Sequence, residues 1–263
     1  MNFLSNIPAW QHLMKYKSLM YELITRDLKI KYRKSFLGYL WSLLNPLLMM
    51  VIMTVVFSTF FKSNIENFPL YLICGQTMWT FFNESTTVSM NAVIENGSLI
   101  KKVYIPKFIF PVSKVFSSFV TMGFNLVAIV IVMIFTQSHF YVTALLFIYP
   151  LICLLIFSMG VGMFLSSLSV YFRDMLHLYS VLTLGWMYAT PIFYPIEIVP
   201  ESVRFVLQLN PIYHYITFFR QVVIYGQIPA GIEWAICIGF SVIAIIIGAL
   251  VFNRLQKNFI LYL

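Results

Sequence analysis

Six long apolar runs constrain this chain more than any other feature of its sequence. They cover residues 36–61, 69–92, 110–136, 142–170, 176–193 and 231–252. Each run is close to or above the ~20 residues that a helix needs to cross a bilayer, the fifth only marginally. Only 10% of the 263 residues are charged, which is too few to cover a water-facing surface. The sequence therefore predicts an all-α polytopic membrane protein with six transmembrane helices in one domain, 1–263.

The distribution of basic residues predicts the orientation. Fourteen of the 17 lysines and arginines flank one side of the six runs, and the other side has only Lys62, Arg204 and Arg220. Basic residues collect on the cytoplasmic side, so we expect both termini there, and we attribute the net charge of +8 to contact with anionic lipid rather than nucleic acid. Because the first apolar run begins near Phe36, no cleaved signal peptide is expected.

Proline interrupts three of the predicted spans. Pro46 lies in the first, Pro150 in the fourth and Pro191 in the fifth. Proline removes a helix hydrogen bond and clashes with the preceding turn, so we expect a kink or a break at each position.

The segment before the first span, 13–32, has the pattern of an amphipathic helix on the cytoplasmic membrane surface. Apolar side chains recur at helical spacing and form one stripe, and charged residues lie opposite. Lys17, Asp27 and Lys31 interrupt the stripe, so the helix is expected in the headgroup region. It is either a simple membrane anchor or a wall against which a cytoplasmic partner docks.

Two connections between spans also predict short helices. The extracytoplasmic segment 200–225 is too apolar for a solvated loop and too short for two spans, which favours two re-entrant or interfacial helices acting as an outer gate. The gate candidates are Pro200, Arg204, Asn210, Pro211, Tyr213 and Tyr215.

The cytoplasmic segment 95–107 reads ENGSLIKKVYIPK. Asn96 or Ser98 is expected to cap a helix whose apolar face contains Leu99, Ile100 and Val103, and a proline ends it. This helix is either a docking site for a partner or an ordinary surface helix.

No motif for catalysis or phosphate binding is present. His12, His139, His177 and His214 have no metal-ligand spacing, and no glycine begins a phosphate loop. Cys74, Cys153 and Cys237 lie in apolar runs, where small buried packing residues are expected. We expect no enzymatic activity, no metal and no cofactor in this chain, so any ATP must be hydrolysed by another protein.

Two kinds of residue inside the spans remain candidates for function. Glu84 is a carboxylate within the second span, where it either makes a structural or inter-subunit hydrogen bond or takes part in substrate binding or gating. Aromatic residues with polar atoms either belong to interface belts or contact sugar rings in a conduit. These are Tyr39, Trp41, Tyr179, Trp186 and Tyr188.

The order of these motifs resembles the membrane subunit of ABC transporters that export lipid-linked polysaccharides, the type-2 family of O-antigen, capsule and teichoic-acid permeases. The resemblance rests on LITRDLKIKYRKS followed by FLGYLWSLLNPLL (23–48), ENGSLIKKVYIPK, SVYFRDM (169–175), ATPIFYP (189–195) and LNPIYHY (209–215). Together these motifs cover nearly the whole chain in the order of the family.

The resemblance implies a homodimer of six-span subunits in the bacterial cytoplasmic membrane, with a separate subunit binding ATP and Mg²⁺. The helix that couples to this subunit would contain Glu95, Asn96, Ser98, Leu99, Ile100, Lys101, Lys102, Val103 and Tyr104. The first and fifth spans would line the conduit. The pyrophosphate of a polyprenyl carrier would meet Lys29, Lys31, Arg33 and Lys34. Two alternatives to a polysaccharide exporter remain: a small-molecule or lipid exporter of the same superfamily, and an integral membrane transferase.

Overall fold

The computed structural model describes residues 16–32, 37–60 and 65–263. Helices account for 82% of the structure, and the described residues include no strand. The α-helices are α1 (Lys17–Tyr32), α2 (Leu40–Phe60), α3 (Phe68–Glu95), α4 (Gly97–Lys102), α5 (Ile109–Phe135), α6 (Ile148–Ser169), α7 (Met175–Ala189), α8 (Glu201–Gln208), α9 (Pro211–Val223), α10 (Gly231–Leu255) and α11 (Phe259–Tyr262). Short 3₁₀ helices cover Val142–Phe147, Ile196–Ile198 and Gln256–Asn258.

Four segments of the described structure are long and apolar enough to cross a membrane. They are Leu40–Phe57, Ile109–Phe135, Val142–Ser169 and Gly231–Tyr262, which correspond to the first, third, fourth and sixth predicted spans. The helix at the second, α3, has 28 residues but too many polar ones, and α7, at the fifth, has only 15 residues. An all-α polytopic membrane protein is therefore confirmed, with four of its helices clearly apolar enough to span.

The prolines act differently in the three helices. Pro46 lies inside α2, where it removes one helix hydrogen bond. Pro191 ends a helix: α7 stops at Ala189 instead of continuing to residue 193, and Thr190 is extended because the residue before proline avoids helical geometry. Pro150 lies in the first turn of α6, just after the segment changes from a 3₁₀ helix, which ends at Phe147, to an α-helix.

Helix α3 occupies the centre of the fold. It packs against α2, α5, α6, α7 and α9, and the main hydrophobic cluster is built around its buried side chains. By contrast, α2 and α7 lie at the periphery: Tyr179 and Thr183 are the buried residues of α7, and α2 exposes apolar side chains along most of its length. The most polar of the long helices is therefore surrounded by protein.

The most extensive helix pair is α6 with α10. Gly160 and Gly248 face each other at their crossing, and a Cβ atom at either glycine would overlap with backbone atoms of the opposite helix. Small residues allow helix backbones to approach closely in membranes, where van der Waals packing rather than the hydrophobic effect holds helices together. This crossing fixes α10 against the rest of the fold.

We expect Gly248→Ala to lower the free energy of unfolding by about 1–3 kcal/mol, because the added methyl group separates α6 from α10. The matched control is Gly239→Ala in the same helix, where an added Cβ meets no atom within 4 Å, so this variant should be unchanged or stabilised by up to about 1 kcal/mol. Thermal unfolding in detergent can be followed with a thiol-reactive dye, because Cys74, Cys153 and Cys237 are buried and free. Equal melting temperatures for the two variants would contradict the close crossing.

Candidate functional site

The predicted cytoplasmic helix is present as α4, which follows α3 after a single residue. Asn96 occupies the N-cap position, but its side chain makes no capping bond. Its amide instead donates to the carbonyl of Ala92 at 2.8 Å and accepts from Arg26 at 3.4 Å. The expectation that Asn96 or Ser98 caps this helix is therefore wrong, since Ser98 lies within the helix and Asn96 holds the corner between α3 and α4.

One side of α4 packs against the protein and the other is exposed. Ile100 is buried, Leu99 packs beside it, and the C-terminal α11 lies behind them with Phe259 fully buried. The exposed side, which we call the α4 surface, consists of Ser98, Lys101, Lys102, Val103 and Tyr104. Val103 was expected on the apolar face but is half exposed. The α4 surface is thus a basic and aromatic patch on a supported helix.

The end of α10 is attached to the same region. Lys107 donates to the carbonyl of Gln256 at 2.6 Å and lies 5.6 Å from the centre of the Phe259 ring. The Tyr171 hydroxyl donates to the carbonyl of Leu255 at 2.8 Å. The Leu255 carbonyl belongs to the C-terminal turn of α10, where carbonyls lack intrahelical donors, whereas the Gln256 carbonyl also accepts from the backbone N–H of Phe259. Burial lowers the pKa of Lys107. These bonds support α11, and therefore α4, from behind.

Helix α1 lies along α5 through its apolar stripe, with Leu23 buried. Two residues that interrupt this stripe make ion pairs with the neighbouring helices. Asp27 pairs with Lys114 of α5 at 3.3 Å, and Lys114 also pairs with Glu95 at 3.1 Å. Lys31 pairs with Glu84 of α3. The charges in the stripe therefore attach α1 to the spans, close to α4.

Of the basic residues expected to meet a carrier pyrophosphate, Lys29 is exposed and Lys31 is already bonded to Glu84. Arg33 and Lys34 lie outside the described residues, as do residues 13–15 of the predicted interface helix. Glu84 therefore has a partner within its own chain. The sequence could not predict this pair, because a single acidic residue within an apolar run does not indicate which lysine will lie next to it.

The five aromatic candidates do not form one cluster. Tyr39, just before α2, Trp41 of α2 and Tyr188 of α7 are partly exposed. Tyr39 stacks on Phe124 of α5, and Trp41 lines a cavity among α2, α3 and α5. Tyr179 is buried, and its hydroxyl donates to the Thr86 hydroxyl at 2.7 Å. Trp186 packs edge-on against Phe82. Three side chains thus remain partly exposed, while two hold α7 against α3.

The segment 200–225, expected to form an outer gate, contains the two helices α8 and α9. Asn210 lies between them and caps α9, because its side-chain oxygen accepts from the N–H of Ile212 at 3.1 Å and from the Trp186 indole at 2.9 Å. Its amide donates to the Thr190 hydroxyl at 2.9 Å. Pro211 follows at the first helical position. Asn210 therefore joins both outer helices to the end of α7.

The other gate candidates have different surroundings. Tyr215 is fully buried and hydrogen bonds to Ser241 at 2.7 Å. Arg204 donates to the carbonyls of Val199 and Glu197, in the segment that leads from Pro200 back to α7. Tyr213 lines an outer cavity of about 570 Å³. The outer face of α8 is apolar and exposed.

Arg220 of α9 is a buried charged residue whose importance the sequence did not reveal. Its guanidinium donates to the carbonyls of Tyr71 at 3.0 and 3.2 Å, of Pro191 at 2.8 Å and of Ile192 at 2.9 Å. It also lies 3.4 Å from the centre of the Tyr71 ring, and only a glycine fits beside it at position 75. The one available signal was an arginine within the apolar sequence YITFFRQVV.

These features define the class of protein: a multi-pass helical membrane protein with a supported, exposed helix between two of its long helices. Among the residues that the structure describes, no group of three His, Cys, Asp or Glu could hold a metal ion. The sequence profile of the ABC-2 type transporter family matches residues 18–224. The chain therefore belongs to the ABC-2 type transporter family.

Its relatives match along nearly their whole length. The chain is 30% identical over 257 residues to the O-antigen export system permease protein RfbA of Klebsiella pneumoniae, which covers 94% of this chain and 97% of the relative. It is 29% identical over 254 residues to the protein of the same name in Myxococcus xanthus, covering 95% and 96%. It is 22% identical over 242 residues to the polysialic acid transport protein KpsM of Escherichia coli, covering 89% and 92%.

We expect Arg220→Lys to destabilise the protein by about 3 kcal/mol, because one ammonium group cannot reach the carbonyls that the guanidinium joins. Arg204→Lys is the matched control, since Arg204 also donates to backbone carbonyls but from a partly exposed position; its cost should be about 1 kcal/mol or less. Thermal unfolding in detergent measures both. Similar losses for both variants would show that Arg220 does not hold the outer end together.

We expect Lys114→Met to cost about 1–3 kcal/mol, because it leaves the mostly buried Asp27 carboxylate with only the more exposed Arg26, at 3.5 Å, as a cation. Asp27→Asn in the same chain should recover part of that loss, since it removes the carboxylate charge that has lost its more buried partner. A double-mutant cycle on the free energy of unfolding gives the coupling of the pair. A coupling close to zero would mean that the ion pair does not attach α1 to α5.

Proposed function

We propose that this chain is the permease subunit of an ATP-driven exporter that moves a polyprenyl-linked polysaccharide across the cytoplasmic membrane of a bacterium. The observation that carries this proposal is the match, along nearly the whole chain, to proteins from two organisms that are named O-antigen export permeases. Capsule-related relatives support the same class of substrate. The chain acts without an ATPase site of its own, and a partner subunit supplies ATP hydrolysis.

The partner docks on the α4 surface in this proposal. A docking helix must be exposed to its partner and firmly packed against its own protein. If the packing were loose, a push from the partner would move the helix alone and would not reach the spans. Lys101, Lys102 and Tyr104 meet the first condition, and the packing of Ile100 against the cluster that contains Phe259 meets the second. The basic charge of this surface suits an acidic cleft on the partner.

Movement of α4 passes to the spans through the charged residues at its base. Closure of the paired ATPases on binding ATP pushes α4, and Glu95, the last residue of α3, lies two residues before this helix. Through Lys114 and Asp27 the displacement reaches α5 and α1. Helix α2 contacts α3 and α5, so it follows them. This route links the ATPase to the wall of the conduit.

A second copy of the chain forms the other half of the conduit. The exposed sides of α2 and α7, the least buried of the long helices, line it and contact the partner copy. Tyr39, Trp41 and Tyr188 lie on those exposed sides and would contact sugar rings. Tyr179 and Trp186 keep α7 in position from behind.

In this proposal the subunit has six spans and both termini in the cytoplasm. Helix α3 serves as the second span, and its polar side chains are acceptable because protein rather than lipid surrounds them. Helix α7 alone extends only about 23 Å, but the buried segment from Thr190 to Phe193 continues it. Helices α8 and α9 form the outer gate. Lys29 lies at the rim where the carrier pyrophosphate binds, with Arg33 and Lys34 later in the chain, whereas Lys31 stays paired with Glu84.

We expect Lys101→Glu with Lys102→Glu to prevent stable association with the ATPase subunit and to uncouple ATP hydrolysis from export. Reversal of two charges on the docking surface changes attraction into repulsion. We expect the affinity for the ATPase subunit to fall tenfold or more, which corresponds to a loss of about 1.4 kcal/mol or more of binding free energy. Co-purification of the two subunits and surface polysaccharide on whole cells are the measurements.

The matched control is Arg254→Glu with Lys257→Glu, which reverses two exposed charges near the end of α10 and leaves the α4 surface intact. This variant should bind the ATPase and export polysaccharide normally. Equal loss in both variants would indicate a general effect of charge, and normal coupling in the Lys101/Lys102 variant would contradict docking on α4.

A further inference from the structure

A polar cavity of about 190 Å³ lies among α2, α3 and α5, and the Lys31–Glu84 ion pair forms part of its wall. Its lining includes Asn45 of α2, Gln76 and Thr77 of α3, and Asn125 of α5. We propose that this cavity binds a single uncharged sugar ring of the transported glycan. The inference rests on the proposed function, which supplies a saccharide as the substrate class.

Two polar atoms in the cavity wall point to a ligand. Thr77 is only 1% exposed, and its hydroxyl has no hydrogen-bond partner among the described residues. The side-chain oxygen of Gln76 is also buried and likewise has no hydrogen-bond partner among the described residues. A buried polar group without a partner costs about 1–3 kcal/mol, so such groups in native proteins normally contact a ligand or water.

The Thr77 hydroxyl also differs from its neighbours. Farther along α3, Thr86 and Ser89 donate to carbonyls four residues earlier in the helix, and Thr121 of α5 does the same. This back-bonding is the usual solution for a hydroxyl inside a membrane helix. Thr77 lines the cavity without such a bond, so its hydroxyl remains available to a bound molecule.

The lining indicates the chemistry of that molecule. Amide side chains such as Asn45 and Asn125 offer both donors and acceptors, which matches adjacent hydroxyl groups on a sugar. The charges of Lys31 and Glu84 neutralise each other, so an ionic ligand would have to break their pair. Trp41 adds a half-exposed aromatic surface. The volume is below the ~300–1,000 Å³ of sites for drug-sized ligands, which favours one ring rather than a chain segment.

In the proposed orientation, with both termini in the cytoplasm, a sugar would reach the cavity from the cytoplasmic side. A second cavity, of about 590 Å³, shares Lys31, Glu84 and Thr121 with the first. It extends past Arg26 to Asn96 at the corner between α3 and α4. The two cavities are therefore adjacent, with the Lys31–Glu84 ion pair in the wall that they share, and a sugar would pass this pair on its way from the α4 region to the site.

The test uses the full transporter, this chain with its ATPase subunit, in lipid nanodiscs. Methyl α-D-glucopyranoside, methyl α-D-mannopyranoside and methyl β-D-galactopyranoside are the probes, and saturation-transfer NMR titrations measure binding. We expect at least one hexoside to bind to the wild type, and Thr77→Val and Asn125→Leu each to raise its dissociation constant about fivefold, the value of one hydrogen bond.

Thr54→Val is the matched control, because Thr54 also has a buried hydroxyl without a partner among the described residues, but it does not line the cavity. It should bind the hexoside as the wild type does. Thr77→Val should melt at the same temperature as the wild type or higher, since valine has the shape of threonine and removes an unpaired hydroxyl. Loss of hexoside binding in a fully stable variant would therefore report the site itself.

Three results would overturn the proposal: no hexoside binding to the wild type, equal binding to the wild type and both cavity variants, or an equal loss in Thr54→Val. Surface polysaccharide on cells that carry the wild-type chain is measured in parallel. Export without hexoside binding would overturn only the sugar site, whereas absence of export in cells that contain the assembled transporter would overturn the proposed function.

Discussion

The structure depends on one constraint: most polar side chains of α3 must find partners inside a protein that is otherwise apolar. An unpaired polar group in hydrocarbon costs several kcal/mol. Glu84 therefore pairs with Lys31 of α1, Thr86 accepts from Tyr179 of α7, and Ser89 donates to the carbonyl of Pro111 in α5. Because these partners come from three different helices, satisfying α3 also assembles the helices around it.

A similar interaction holds the outer end of α3. Arg220 binds the carbonyl of Tyr71 in the first turn of α3 and the carbonyls of Pro191 and Ile192 beyond α7. Proline at 191 ends α7 at Ala189, and the carbonyls of Pro191 and Ile192 that follow accept from the arginine. One guanidinium thus joins three segments, and α3 is attached by a charged group near each end. In the proposed transporter, displacement of α4 therefore moves α3, which in turn is bonded to the helices around it.

Part of the candidate site could be predicted from sequence because it depends on local pattern. Helix α4, the apolar stripe of α1 and the two outer helices follow from spacing and from proline, and all lie close to their expected positions. The role of Asp27 and Lys31 could not be predicted in this way. They appeared as interruptions of an amphipathic stripe, and only the adjacent Lys114 and Glu84 reveal them as ion-pairing residues.

By itself, the sequence determined the class of the protein, the approximate ends of its helices and the presence of a short exposed helix between two long ones, because these depend on hydropathy and on local hydrogen bonding. Only the tertiary structure decided that α3 is central, that Tyr179 and Trp186 face inward, and that Gly160 meets Gly248. The physical reason is that lipid and protein interior are about equally apolar. Hydrophobicity places a residue within the membrane, but only contacts between helices decide whether it faces lipid, protein or a polar cavity.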